Sequence, residues 1–588
     1  MDVRHHFFTR LSFAVLAIAS GAVASCDGTS GSTGGSAGMG PGGMGGGAEP
    51  APITFPIAKD FEPPARTAWA PDGCRTVPAS NDVLPSRVAF KNLHADEANT
   101  DEVSVALAPA FVEGWTAEQE TFNVGGPVFD SQGNLYFSAS LPHEPVALIS
   151  LEPENGTRRF AIPNTTGAAT GPSAPMILSA PENAGSGEPE EMIFLGLYDR
   201  AFAIDVDGAV LWDVPTGLES DELHFAFGIN YAPAADAIVG LTEDGFVYAL
   251  DRRTGQPVFE EPFQLPGENS PAGNPRSDSS LPPEVTLCLA IELGKFADLS
   301  EFPITLVTSI ITGNGVKVAN HFSVDAKSSS LWVAATAPDA EDGAVDGLSE
   351  FGALYRLDFV SRGDKYGLVE ACHVSFDGGS SSSPTLRKDG TRAYVTDNLG
   401  KLIAVETIDC SRAWELDVGS VINGSIAVSS DNGELYAATR DGIFQVIDEG
   451  DRGVVRWVSK MDAFELPPDM VAMDVTIAGI GANAVSMQLA AGYPPSMFLV
   501  EGVAQLDRAT GELRYFAAGG EATLAVMNSG PDGAVYLGNS GFRSATTNCM
   551  AEYGYLPMGG SPVLGGITKF APERLDLLAR DAICAASD

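Results

Sequence analysis

Short runs in which apolar and polar residues alternate, broken by Gly, Asn and Asp, fill most of the chain. In the segment from Ser383 to Glu406, Asp389-Gly390 and Asn398 to Gly400 mark two tight turns, and the residues between them alternate with period two. This predicts three short antiparallel strands. The unit continues to Trp414, an aromatic ten residues after the small residue Ala404. The same ending recurs from Ala249 to Phe259 and from Gln505 to Tyr515, with Asp251 and Gly255 matched by Asp507 and Gly511. Partial copies run from Ser150 to Phe160, Ala203 to Trp212 and Val446 to Trp457. The earlier turn recurs as Asp130 to Tyr136, Asp431 to Tyr436 and Asp532 to Tyr536.

Each recurring residue has a physical task. The Asp, Asn and Gly positions reverse the chain with positive φ. The Thr-Gly pair closes a third hairpin. Phe160, Trp212, Phe259, Trp414, Trp457 and Tyr515 are the candidate docking rings, leaving the outer strand of one sheet to pack on the next. Sheet units that repeat at this interval and dock on their neighbours bury a continuous core. The pattern A-x-D-x-x-T-G-x-x-x-W resembles the tryptophan-docking repeat of propellers of the pyrroloquinoline-quinone (PQQ) type, and the resemblance spans roughly residues 120 to 570. It implies an all-β fold, a single β-propeller of eight four-stranded blades, with seven as the alternative count.

Units begin near residues 126, 172, 228, 320, 384, 424, 472 and 525. The propeller is expected over 120–572, with an insertion at about 264–313 and an acidic excursion at 338–350. The last unit lacks an outer strand, so a strand from within residues 86–112, in an N-terminal segment spanning 53–119, is expected to complete it and close the ring. Residues 573–588 form a C-terminal tail.

The start of the chain sets the compartment. Arg4, His5, His6 and Arg10 precede an apolar run from Leu11 to Ala19, too short to span a bilayer. Val23-Ala24-Ser25-Cys26 resembles a lipobox. The resemblance implies a signal peptide over 1–25 and acylation of Cys26, followed by a Gly/Ser-rich tether over 26–52. The expected location is the bacterial cell envelope, at the outer membrane on its periplasmic or surface face, with the inner membrane as the alternative. Seventy-seven acidic against 34 basic residues give a net charge of −43, which argues against nucleic acid as a partner. Without Cys26, six of the seven cysteines remain, and six allow about 15 pairings. The preferred pair is Cys549 with Cys584, which would pin the tail.

No catalytic constellation stands out. The family resemblance raises a quinoprotein dehydrogenase, whose members use a vicinal disulfide over the quinone. No two cysteines are adjacent here, so PQQ is not expected and no cofactor is assigned. His224 and His321 precede the inner strands of adjacent blades and are candidate funnel residues, as a metal or acid–base pair or as plain polar residues at strand ends. Ser383 and Asn423 occupy the corresponding place in later blades, as a polar rim. The loop from Asp339 to Glu350 offers Asp339, Glu341, Asp342 and Asp346 to a cation such as Ca2+. Its spacing departs from the EF-hand pattern, and the alternative is a solvated loop. The resulting expectation is a lipid-anchored, non-enzymatic module that binds an envelope protein or other macromolecule on a propeller face. It is similar in plan to the propeller lipoproteins of the outer-membrane β-barrel assembly machine. The alternative is a small-molecule, glycan or ion-binding protein, or an enzyme, using the central funnel.

Overall fold

The computed structural model describes residues 82–572 apart from 85–88, 105–106, 109–110, 143–145, 165–172, 220–223, 271–282, 295–314, 344, 423, 430–432, 465–470, 494–496, 519–520, 522–525 and 555–562. Eight four-stranded antiparallel sheets form a propeller. Their inner strands are Val128–Phe129, Met176–Ser179, Ala226–Ala232, Ser323–Val324, Thr385–Leu386, Ala427–Val428, Val471–Ile480 and Met527–Ser529, which we number as blades 1 to 8. The predicted unit starts fall within four residues of these strands. Among the described residues no helix is long and apolar enough to cross a membrane.

Blade 8 takes its outer strand from the N-terminal side of the chain, as expected. That strand is Phe111–Ala117, paired antiparallel with Gly565–Pro572 so that Phe111 faces Pro572 and Ala117 faces Ile567. It starts at the far end of the 86–112 window. Most of that window lacks the period-two alternation of a half-buried strand, and residues 89–103 line the central channel instead.

The seams between blades explain the repeat. Phe160, Trp212, Trp414 and Trp457 rest on Gly208, Gly255, Gly453 and Gly511 of the following blade. A Cβ at Gly255 would lie 2.9 Å from the Trp212 ring, so a larger residue there would push the indole out. The indole nitrogens of Trp212 and Trp457 donate to the carbonyls of Arg252 and Arg508, each at 3.1 Å. That of Trp414 donates to Asp448 at 2.8 Å. Phe259 meets Phe359 of blade 4, with ring centroids 5.6 Å apart. Tyr515 meets Phe111 edge-on and its hydroxyl donates to the Phe111 carbonyl. The closing strand brings its own docking ring, Trp115, which rests on Gly156 of blade 1 and donates to the Pro153 carbonyl at 3.2 Å.

The seam from blade 4 to blade 5 is covalent. Cys372 on the outer strand Lys365–Phe376 is bonded to Cys410, which lies between the third and fourth strands of blade 5. Cys372 faces Arg356 in the register where Trp414 faces Ala404 and Tyr515 faces Gln505. Cys410 follows Ala404 by the same interval that separates Gly255 from Ala249. Its φ of 56° matches the left-handed backbone of Gly255, at 69°. The disulfide therefore occupies the place of the ring and its glycine.

The second disulfide corrects a sequence expectation. Cys549 is bonded to Cys288, 261 residues away, and not to Cys584. The residue partnered with Cys549 sits on a helix, Pro283–Gly294, inside the insertion after blade 3. Cys549 sits on a helix, Phe542–Glu552, between two strands of blade 8. Spacing could not select this pair because both helices are insertions outside the repeat. The helices share an apolar cluster with Phe122, Phe225, Phe227 and Val318, which includes Val285, Leu289 and Leu293. They thus pack against the blades where inner strands begin. Cys584 and Cys26 lie outside the described residues.

Candidate functional site

An inner strand leaves one edge of its sheet facing the central channel, and those amides need partners. Residues 89–103 supply a backbone carbonyl to one such amide in six of the eight blades and reach the other two by different bonds. The Phe90 carbonyl accepts from Phe129 N and the Lys91 carbonyl from Ile177 N, at 3.0 and 2.8 Å. The carbonyls of Glu97, Ala98, Thr100 and Asp101 accept from the amides of Val324, Leu386, Val428 and Ile480, at 2.7 to 2.9 Å. Blade 3 is reached through Asn230, whose side-chain amide donates to the Glu97 carbonyl at 3.0 Å. Phe90 N donates to the Ser529 carbonyl of blade 8 at 3.3 Å. One segment thus bonds all eight blades and fills the channel as a plug. All but His94 and Glu97 of its residues are buried.

The plug carries a polar tip. His94 Nδ1 lies 3.0 and 3.2 Å from the two Asp101 carboxylate oxygens, and its Nε2 lies 2.9 Å from Ser383 Oγ. Ala95, Asn99 and Asp101 hold positive φ values of 69°, 58° and 54°, which non-glycine residues adopt only where their surroundings insist. The Asp96 carboxylate fixes this turn by accepting from the amides of Ala98 and Thr100, both at 3.1 Å. Burial pushes the Asp101 carboxyl above its ordinary range, and the adjoining His94 pulls the other way. The His321 ring stacks at 6.1 Å from that of His94. Burial, and then the neighbouring His94, push His321 down to about 3.

The hydrogen-bond order serine, histidine, aspartate is that of a nucleophile relay. Ser383 is fully buried, however, and its amide donates to Ser425 Oγ at 2.9 Å. Pro384, which follows it, has no N–H to offer an oxyanion. The bond from His94 to Ser383 ties the plug to blade 5. His321 and Ser383, two of the candidate funnel residues, are brought together by the plug. Asn423 lies outside the described residues. His94 itself carried no motif. The available signal was the absence of strand alternation around it.

His224 sits apart, before the inner strand of blade 3. Its Nδ1 is 2.7 Å from Glu243 Oε1 and 4.0 Å from Asp244 Oδ2. Among the described residues this is the group of metal-ligating side chains whose donor atoms all fall within 4.8 Å of one another. The loop carboxylates turn elsewhere. Asp339 accepts from Gly347 N and Asp342 from Glu350 N, each at 3.1 Å, while Glu341 meets His373 Nε2 at 2.9 Å.

No family model and no curated protein matches the chain. Solved structures do. The quinohemoprotein alcohol dehydrogenase of Comamonas testosteroni matches at 12% identity and a TM-score of 0.45, covering 78% of this chain and 77% of that one. A europium-containing methanol dehydrogenase matches at 11% and 0.45, covering 82% and 98%. BamB from Moraxella catarrhalis matches at 11% and 0.41, covering 78% and 99%. These are similarities of fold at low identity, and they assign no residue a role.

Proposed function

We propose that this chain is a lipid-anchored, non-enzymatic β-propeller of the cell envelope that binds a protein or other macromolecule on a propeller face. The observation that carries the reading is the plug. Residues 89–103 bond to all eight blades and lie buried along the axis, where a funnel ligand would have to sit. Recognition is then left to loops and blade faces. Cys26 would supply the anchor and the Gly/Ser-rich stretch after it the reach. The net charge of −43 suits a basic or neutral partner surface. Native protein purified from detergent-solubilised envelope, compared with the Cys26→Ala form, tests this. The expected result is a lipid-sized mass increase on Cys26 and a defined set of co-purifying envelope proteins. An unmodified Cys26 with no protein above background would contradict it.

A further inference from the structure

The cluster at His224 invites a chemistry that the plug does not explain. Its three residues come from two places in blade 3. His224 leads into the strand Ala226–Ala232, and Glu243 and Asp244 form the tight turn between Ala237–Thr242 and Phe246–Asp251. Each donor group is held from outside. Phe225 N donates to Glu243 Oε2 at 2.8 Å, fixing the carboxylate with its other oxygen toward the imidazole. Tyr198 OH donates to Asp244 Oδ2 at 2.9 Å, and Thr242 Oγ1 to Asp244 Oδ1 at 2.5 Å. The Tyr198 ring lies flat on the imidazole, with centroids 4.6 Å apart at 17°. Outer partners that fix the orientation of the ligands are what metal sites need.

Two carboxylates share the site with one imidazole. Glu243 is buried, with its side chain 6% exposed, and Asp244 adjoins it. Burial holds the Glu243 carboxyl above its ordinary range, against the pull of His224. Lys317 is near enough for Asp244 to act on its charge, yet its Nζ donates to the Leu265 carbonyl at 3.3 Å. Burial lowers the Lys317 ammonium below its usual range. The His224 and Asp244 side chains are 23% and 27% exposed, so solvent and ions have access.

We propose that His224, Glu243 and Asp244 bind one divalent transition-metal ion of the Zn2+ or Mn2+ class. The donor set decides the class. One imidazole and two carboxylates suit first-row metals, whereas calcium takes six to eight oxygens. Binding replaces the His224–Glu243 hydrogen bond. The proton shared by Nδ1 and the Glu243 carboxylate leaves to solvent, and the freed nitrogen lone pair and the carboxylate oxygens turn to the ion. Three protein ligands leave at least one position for water.

The test is calorimetric titration of the chelator-treated full chain with Zn2+, Mn2+ and Ca2+, at neutral pH and at about pH 5. The expected result is one Zn2+ or Mn2+ per chain, bound more tightly than Ca2+ and weakened by acid. His224→Ala and Asp244→Asn should each weaken binding by at least about tenfold, the scale on which outer-shell losses alone act. Asp244→Asn keeps shape and partial exposure, so it serves if the histidine variant fails to fold. The control Asp342→Asn, in the acidic loop, should leave the affinity unchanged. Absence of stoichiometric binding, a preference for Ca2+, or equal affinity in wild type and Asp244→Asn would overturn the proposal.

Discussion

Burial strips His321 of its charge, and this has a consequence for stability in acid. Its pKa in the folded protein lies near 3, against an ordinary value of 6.5. The unfolded chain therefore takes up the proton first as pH falls. The stabilisation that His321 gives by staying neutral is complete above about pH 6.5 and lost progressively towards pH 3. His321→Leu removes this dependence. We expect the gap in melting temperature between wild type and His321→Leu to shift in favour of the variant between pH 7 and pH 4. A gap independent of pH would show that His321 does not titrate this way. Asp101, raised by burial, acts with the opposite sign, but it is present in both proteins and cancels in the difference. The repeat places His321 and Ser383 at the starts of inner strands, and that much the sequence shows. Their meeting with His94 was not legible, since His94 belongs to no repeat.

At the scale of elements, the seams set which contacts matter. The docking rings could be read from the sequence because a ring, a turn and a glycine recur at fixed offsets. Trp115 escaped because its strand sits far from the rest of its blade in the chain. The disulfide between Cys372 and Cys410 escaped because it keeps the geometry of the seam and changes its chemistry. Trp115→Ala empties a seam and frees the closing strand, so we expect a loss of about 3 to 5 kcal/mol in urea unfolding. A change below about 1 kcal/mol, the size of ordinary surface effects, would mean that the ring is held shut elsewhere. Breaking the covalent seam with paired Cys372→Ser and Cys410→Ser should cost about 3 to 4 kcal/mol, given a separation of 38 residues. Cys372→Trp with Cys410→Gly should recover part of that loss. No recovery would separate the disulfide from the role of the ring and glycine.

The whole molecule is closed twice by one N-terminal stretch. Residues 89–103 tie the inner edges together, and Phe111–Ala117 completes the outer rim. Both closures are completed by the last blade, because Phe90 bonds to Ser529 and Phe111–Ala117 pairs with Gly565–Pro572. Such sequence-distant contacts fold late and slowly. Blade number and order were legible from local alternation. The plug was not, because its structure is dictated by eight separate partners rather than by its own pattern.

Hydrogen exchange, read by mass spectrometry on peptides covering residues 89–103, tests the plug most directly. The amides of this segment are buried and donate within the plug or, at Phe90 and Val103, to the Ser529 and Ile480 carbonyls, so they should open only with global unfolding. This segment should exchange as slowly as the inner strands it touches. Full exchange within seconds, while the blades stay protected, would mean the channel is open and would contradict the plug.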